Sequence, residues 1–206
     1  PPRERRLRQR DDVAHVCGPQ RWTRSPRRPT TLIMIDTRPV QLLQTSRLFC
    51  GVDRSVLVGL AGHVSVCSLR SGELLWASGE LAVHFHIVVT GMIALRRTTF
   101  DEETTLLALF GPGESPGLPP ALRRNAYVAD AVAAAPRVDV VRICAAPVLA
   151  LLGDDAVLTN AVNRTLLEHV RLLHQKIDVL TVGSVPRRIA SFLLNLADRF
   201  GDENEH

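Results

Sequence analysis

The feature that most constrains this chain is a change of hydrophobic period near Ala145. Beyond it, Leu158, Val162, Leu166, Val170, Leu173, Ile177 and Leu180 recur at steps of four or three residues. Those steps keep all seven side chains on one face of an α-helix. The spacing predicts one helix of about 28 residues, roughly 40 Å long, opened by Asp154 or Asp155 and ended at Gly183. So long a stripe exceeds what a small domain can cover alone. The economical solution is a second copy of the same stripe, so these seven residues form the expected dimer interface of a homodimer.

Upstream of Ala145 the pattern is different. The runs HVSVCSL, LLWAS, HFHIVVTG, MIALRRT, TTLLALF and RVDVVRI are short, and Gly-containing or acidic turns separate them. Short strands at about ten-residue spacing predict an all-β sandwich or barrel. Leu106 to Phe110 reads as a buried strand, punctuated by Gly111-Pro112-Gly113. Before the strands, Val52, Val56, Leu57 and Leu60 fall at helical spacing behind a capping Asp53. After the long helix, VPRRIASFLLNLADRFG predicts a further helix with Ile189, Phe192, Leu193, Leu196 and Phe200 on one face. The expected class is mainly β with helices. The expected segments are a basic, disordered tail at 1–31, a β-domain at 32–147, a long dimerisation helix at 148–182 and a last helix at 183–206.

Charge is distributed unevenly. The formal net charge is +4, and of 25 basic residues only Lys176 is lysine. Residues 1–30 hold nine arginines against Glu4, Asp11 and Asp12, a surplus of six, so the rest of the chain is net −2. The folded part is therefore not a basic nucleic-acid-binding domain. Cys17, Cys50, Cys67 and Cys144 are widely spaced with no CxxC, which excludes a zinc knuckle or a compact iron–sulfur loop. The last three sit in apolar contexts and are expected to be reduced core residues. No apolar run approaches the length of a membrane span, and the arginine-rich start lacks the apolar region of a secretory signal. A cytoplasmic location with no membrane partner is the expectation.

For catalysis the chain offers no P-loop, nucleophile elbow, HExxH or dinucleotide fingerprint, so an enzyme is not expected. Asp101, Glu102 and Glu103 are ordinary material for a hairpin tip. His84 and His86 flank Phe85 and share one strand face, a pairing that suits a metal or a haem iron; alternating polar positions on a solvated face account for them as well. No metal site is assigned.

The order of these parts resembles the Crp/Fnr family of bacterial transcription regulators. The resemblance covers roughly Leu48 to Gly201 and is carried by LFCGVDRSVLVGLAGHV, SGELLWASGE, HFHIVVTGMIAL, TTLLALFGPGE and RRIASFLLNLADRFG. It implies that the β-domain is a cyclic-nucleotide-binding-type jelly roll, a double-stranded β-helix. It also implies that the long helix is the dimer interface, and that a winged helix-turn-helix DNA-binding domain follows the final helix. No helix-turn-helix pattern is found in the residues after Gly201, so DNA contact is expected only through a domain not present in this chain.

Family members that bind cyclic nucleotides carry a phosphate-binding cassette: a Gly-Glu pair, a short helix, then Arg-Ser-Ala or Arg-Thr-Ala. Matched to it, Gly117 takes the glycine position, Leu118 replaces the glutamate that accepts from the ribose 2′-hydroxyl, and Arg124-Asn125-Ala126 takes the arginine end. The connecting segment is shorter and contains Pro119-Pro120. The resemblance thus implies an effector site at Gly117, Leu118, Arg124, Asn125 and Ala126, with half of the cassette kept. The effector is unknown: a cyclic nucleotide, haem, or none, the last making the domain an interaction and dimerisation module.

Overall fold

The computed structural model describes residues 39–44, 46–98, 103–181 and 183–201. The expected arginine-rich tail, Asp101 and Glu102 lie outside the described residues. The chain divides into two compact units between Val162 and Asn163.

The first unit opens with helix α1 (Pro39–Gln44), a single 3-10 turn at Arg47–Phe49 and helix α2 (Arg54–Leu60). As the sequence suggests, Asp53 caps α2, its carboxylate accepting from the Ser55 N–H at 2.7 Å. Seven strands follow: β1 (Val64–Arg70), β2 (Leu74–Trp76), β3 (His84–Thr90), β4 (Ile93–Thr98), β5 (Thr104–Phe110), β6 (Asp130–Ala133) and β7 (Arg137–Cys144). They pair antiparallel in two sheets, β1-β7-β3 and β2-β6-β4-β5. Helix α3 (Leu118–Arg123) lies between β5 and β6, and α4 (Ala145–Leu151) follows β7. The result is the jelly roll with helices that the strand spacing and the family resemblance imply.

Register decides what lies inside. In the three-stranded sheet His86 stands opposite Arg142, Val88 opposite Val140, and Cys67 also opposite Val140. Because successive side chains alternate, His84, His86, Val88, Val140 and Arg142 share one face, while Phe85, Ile87, Val141 and Ile143 share the other. Both faces are buried: Ile87, Val88, Val140, Val141 and Ile143 are all inaccessible to solvent. The Trp76 ring from β2 packs 4.7 Å from the His86 ring, which turns the histidine face toward the second sheet.

Two expectations change here. The histidines do not decorate a solvated strand face; His86 is only 3% exposed and lies in the interior of the roll. β5 is not a buried strand. Among the described strands it lies at the end of its sheet, beside β4, and Phe110 is its one buried residue while Leu106 is 39% exposed.

The cysteines also divide. Cys67 is a buried free thiol as expected, Cys50 is exposed rather than in the core, and Cys144 is disulfide-bonded. Burial pushes the Cys67 thiol pKa above its ordinary value, so it stays protonated and inert.

The long helix does not extend back to residue 148. The chain ends α4 at Leu151, turns, and restarts as α5 (Ala156–Thr181), where the Asp155 carboxylate accepts from the Val157 and Leu158 N–H groups at 2.9 Å each. Its first two turns belong to the β-domain: Leu158, Ala161 and Val162 are buried in that core. Leu158 and Val162, expected on the dimer seam, have no surface left to offer a partner. In the second unit Leu166 is half-buried, whereas Val170, Leu173, Ile177 and Leu180 are exposed. Helix α6 (Val185–Phe200) follows with no buried residue; Ile189, Phe192 and Leu193 are exposed along it.

Candidate functional site

The site grows from the turn after β5. Gly113 donates its N–H to Val88 O at 2.8 Å and Val88 donates to Glu114 O at 3.0 Å, which pins the turn to β3. The Glu114 carboxylate closes the turn on itself by accepting from the Gly111 N–H at 2.8 Å. Gly117 then enters α3 in the left-handed region, φ +72°. A Cβ placed on it would stand 2.9 Å from Tyr127 Cε1 and 3.0 Å from Trp76 Cη2. Only glycine lets the backbone come this close to those two rings. They stack on each other with centroids 4.2 Å apart, and the indole Nε1–H donates to Ala129 O at 3.0 Å.

Helix α3 is one and a half turns long with Pro119 and Pro120 at its start, where missing N–H donors cost nothing. Its first residue, Leu118, is fully buried. Leu118 is therefore a core residue that seats the helix, not the effector contact expected of that position. Arg124 ends α3 in a left-handed C-cap, φ 53°, its N–H donating to Pro120 O and Ala121 O. From there Asn125, Ala126 and Tyr127 run beside Gly79 to Ala82. Ala82 N–H donates to Asn125 O, Gly79 N–H to Tyr127 O and Tyr127 N–H to Glu80 O, at 2.8 to 3.0 Å. Arg124, Asn125 and Ala126 are exposed, and the Arg124 side chain has no hydrogen bond or ion pair among the described residues.

The structure thus separates the five expected residues. Gly117 and Leu118 lie at the buried end of α3, and Arg124, Asn125 and Ala126 at its open end.

A second group was not anticipated as a unit. Below the aromatic pair, the His86 ring lies 6.2 Å from the His84 ring and 6.3 Å from the Tyr127 ring, centroid to centroid, with the Tyr127 hydroxyl donating to His84 O at 3.3 Å. Arg142 Nη2 sits 3.3 Å from His84 Nδ1. Burial and the Arg142 charge push the His84 pKa down to about 4, and burial holds His86 well below its usual range. Both rings are neutral at physiological pH. Burial also holds the Tyr127 phenol above its ordinary value. Nothing in the local sequence links His86 to Arg142; only the alternation HFHIV, aligned against RVDVVRI by strand pairing, brings them to one face. Among the described residues no group of three or more His, Cys, Asp or Glu side chains is placed to hold a metal ion.

Comparison with known proteins agrees with this geometry. Residues 66–155 match the family described as "Cyclic nucleotide-binding domain". The chain is 24% identical over 169 residues to the "CRP-like cAMP-activated global transcriptional regulator" of Mycobacterium tuberculosis, covering 79% of this chain and 72% of that protein. Among solved structures it is similar to the sensor domain of the transcriptional regulator DNR from Pseudomonas aeruginosa, with TM-score 0.56, 25% identity and 70% and 93% of the two chains covered. The catabolite activator protein of Thermus thermophilus matches in fold, with TM-score 0.54, 24% identity and 75% and 72% covered. The β-roll with α3 against its aromatic pair is therefore a cyclic-nucleotide-binding-type domain. The Mycobacterium tuberculosis relative and the Pseudomonas aeruginosa neighbour are both described as transcriptional regulators, so the chain is similar to regulators of the Crp/Fnr type. No single helix among the described residues is long and apolar enough to cross a membrane.

Proposed function

We propose that this chain is the effector-sensing and dimerising region of a Crp/Fnr-like transcription regulator, in which a small ligand in the jelly roll controls DNA binding allosterically. The observation that carries this reading is α3: a short helix that starts at Gly117 against the Trp76–Tyr127 pair, with an unpaired, exposed guanidinium at its end. An anionic group at Arg124 would load that helix, and movement of α3 is felt directly by the two rings beneath Gly117. The exposed part of the long-helix stripe, Val170, Leu173, Ile177 and Leu180, is the seam through which two copies associate. A ligand alters DNA binding only by the difference in its affinity for two packings of that seam.

Cyclic AMP fits this site less well than a complete cassette. Leu118 puts a buried apolar side chain where the ribose acceptor would stand, and losing one charge-assisted hydrogen bond removes roughly 1.5–3 kcal/mol, one to two decades of affinity. The same filled position favours a second reading, a ligand-free interaction and dimerisation module. A thermal-shift series with cyclic AMP, cyclic GMP and haem separates the two. Stabilisation by a cyclic nucleotide, lost in Arg124→Gln, supports the sensor; no shift with any of them, in a protein that still sediments as a dimer, supports the module. A Soret band after haem addition would replace both with a haem sensor.

A further inference from the structure

Arg142 projects from the central strand β7 onto the interior face of its sheet. It is half-buried, its Nε is cut off from solvent without a hydrogen-bond partner, and no carboxylate pairs with it among the described residues. Among the described residues its side-chain hydrogen-bond partner is the neutral His84 ring, itself without charge to give. Beside it His86 is 3% exposed, and its Nδ1 is likewise buried with no partner. A guanidinium taken out of water is ordinarily matched by an anion, and a buried imidazole nitrogen by a donor or acceptor. Here two such atoms face the same interior and neither is satisfied. Asp139 is engaged by Ser68, Thr90 and Arg137 and Glu73 by the Arg70 N–H, while Glu80 faces the Tyr127 phenol without an ion pair to Arg142.

We propose that the interior of the β-roll holds an oxyanion site, distinct from the α3 cassette, in which Arg142 and His86 receive the carboxylate or phosphate-type group of a small effector. The effector enters past His84, the half-exposed member of the group. The guanidinium supplies the charge and two parallel N–H donors suited to a planar or tetrahedral oxyanion. His86 adds one hydrogen bond, and the Trp76 face 4.7 Å from it gives the apolar part of such a molecule a wall. The site adjoins the cassette through one side chain, since Tyr127 meets both Gly117 and the His84 carbonyl. An oxyanion at Arg142 and a displacement of α3 are therefore coupled. This inference rests on the reading that the roll takes a small effector, and it gives the roll an anion contact at Arg142 in addition to the α3 end.

The test is nuclear magnetic resonance on the nitrogen-15-labelled chain. Inorganic phosphate, acetate and cyclic AMP are titrated in turn, with chloride at matched ionic strength as reference. Phosphate or acetate is expected to move the Arg142 Nε–Hε signal and the His86 ring signals saturably, where chloride does not. The apparent affinity is expected to fall at least about tenfold in Arg142→Gln. Should Arg142→Gln fail to fold, the wild-type Arg142 signal decides alone, and Arg142→Lys is expected to keep the His86 response by keeping the charge. The proposal is overturned if neither oxyanion moves Arg142, if the response survives Arg142→Gln, or if Arg124→Gln abolishes it. Cyclic AMP shifting the α3 signals while Arg142 stays still leaves the sensor reading intact and removes this site; no response to any probe at either place removes both.

Discussion

Gly117→Ala tests the centre of the site with a single carbon. The new Cβ would sit 2.9 Å from Tyr127 Cε1 and 3.0 Å from Trp76 Cη2. Neither ring can swing away cheaply: they stack at 4.2 Å and the indole is tied to Ala129 O. Forcing overpacked atoms apart in a filled core costs roughly 1–3 kcal/mol. The left-handed backbone adds roughly 1–2 kcal/mol for any residue with a Cβ. The expected loss is therefore about 2–5 kcal/mol. Gly72→Ala is the matched control: its φ is +83°, but nothing lies within 4 Å of the added carbon, so only the backbone cost of roughly 1–2 kcal/mol remains. Guanidinium denaturation of the two variants measures the difference, which isolates the contact between α3 and the aromatic pair. In thermal melts each kcal/mol moves Tm by about 2–4 °C at this chain length. If the two variants differ by less than about 0.5 kcal/mol, the limit of ordinary additivity, α3 does not rest on the rings and the coupling argued for the site fails.

Other outcomes follow from the same coordinates. Leu173→Glu with Ile177→Glu, both on the exposed stretch of α5, is expected to give monomers by sedimentation velocity with the β-domain melt unchanged; a persisting dimer refutes the seam. Trp76→Ala should cost roughly 3–5 kcal/mol, read as a lower denaturation midpoint, because it removes the stack and the bond to Ala129 O together; a loss under about 1 kcal/mol would show that the ring is not structural. Stability should fall on acidification: His84 and His86 have folded pKa values below the unfolded 6.5, so the unfolded chain takes up protons first. Their contribution is complete above pH 6.5. It declines by about 1.4 kcal/mol per pH unit for each ring as pH drops through 6.5, and for His84 levels off near 4. His86→Gln should halve that slope between pH 6 and about 5, and an unaltered slope would place the titrating group elsewhere.

Much of this molecule was legible in one dimension because its signals are local. The strand runs, the Asp53 cap, the glycine turn and the stripe from Leu158 to Leu180 are periodicities that chain geometry translates directly into strands, turns and a helix. The cassette likewise lies in one short stretch, so the replacement of its glutamate by Leu118 was visible from order alone. Three decisions belonged to the fold. Whether Leu158 and Val162 face a second copy or the chain's own core depends on where α5 meets the β-domain, since a helical stripe names a face but not its partner. Whether the Leu106 to Phe110 run is covered depends on where β5 falls in the strand order, and only Phe110 of it is buried. Whether His84 and His86 meet water or Arg142 depends on the antiparallel register of β3 and β7 and on which face turns to the second sheet. Those three outcomes rest on contacts between residues far apart in the chain, and such contacts leave no periodic trace in the residues that make them.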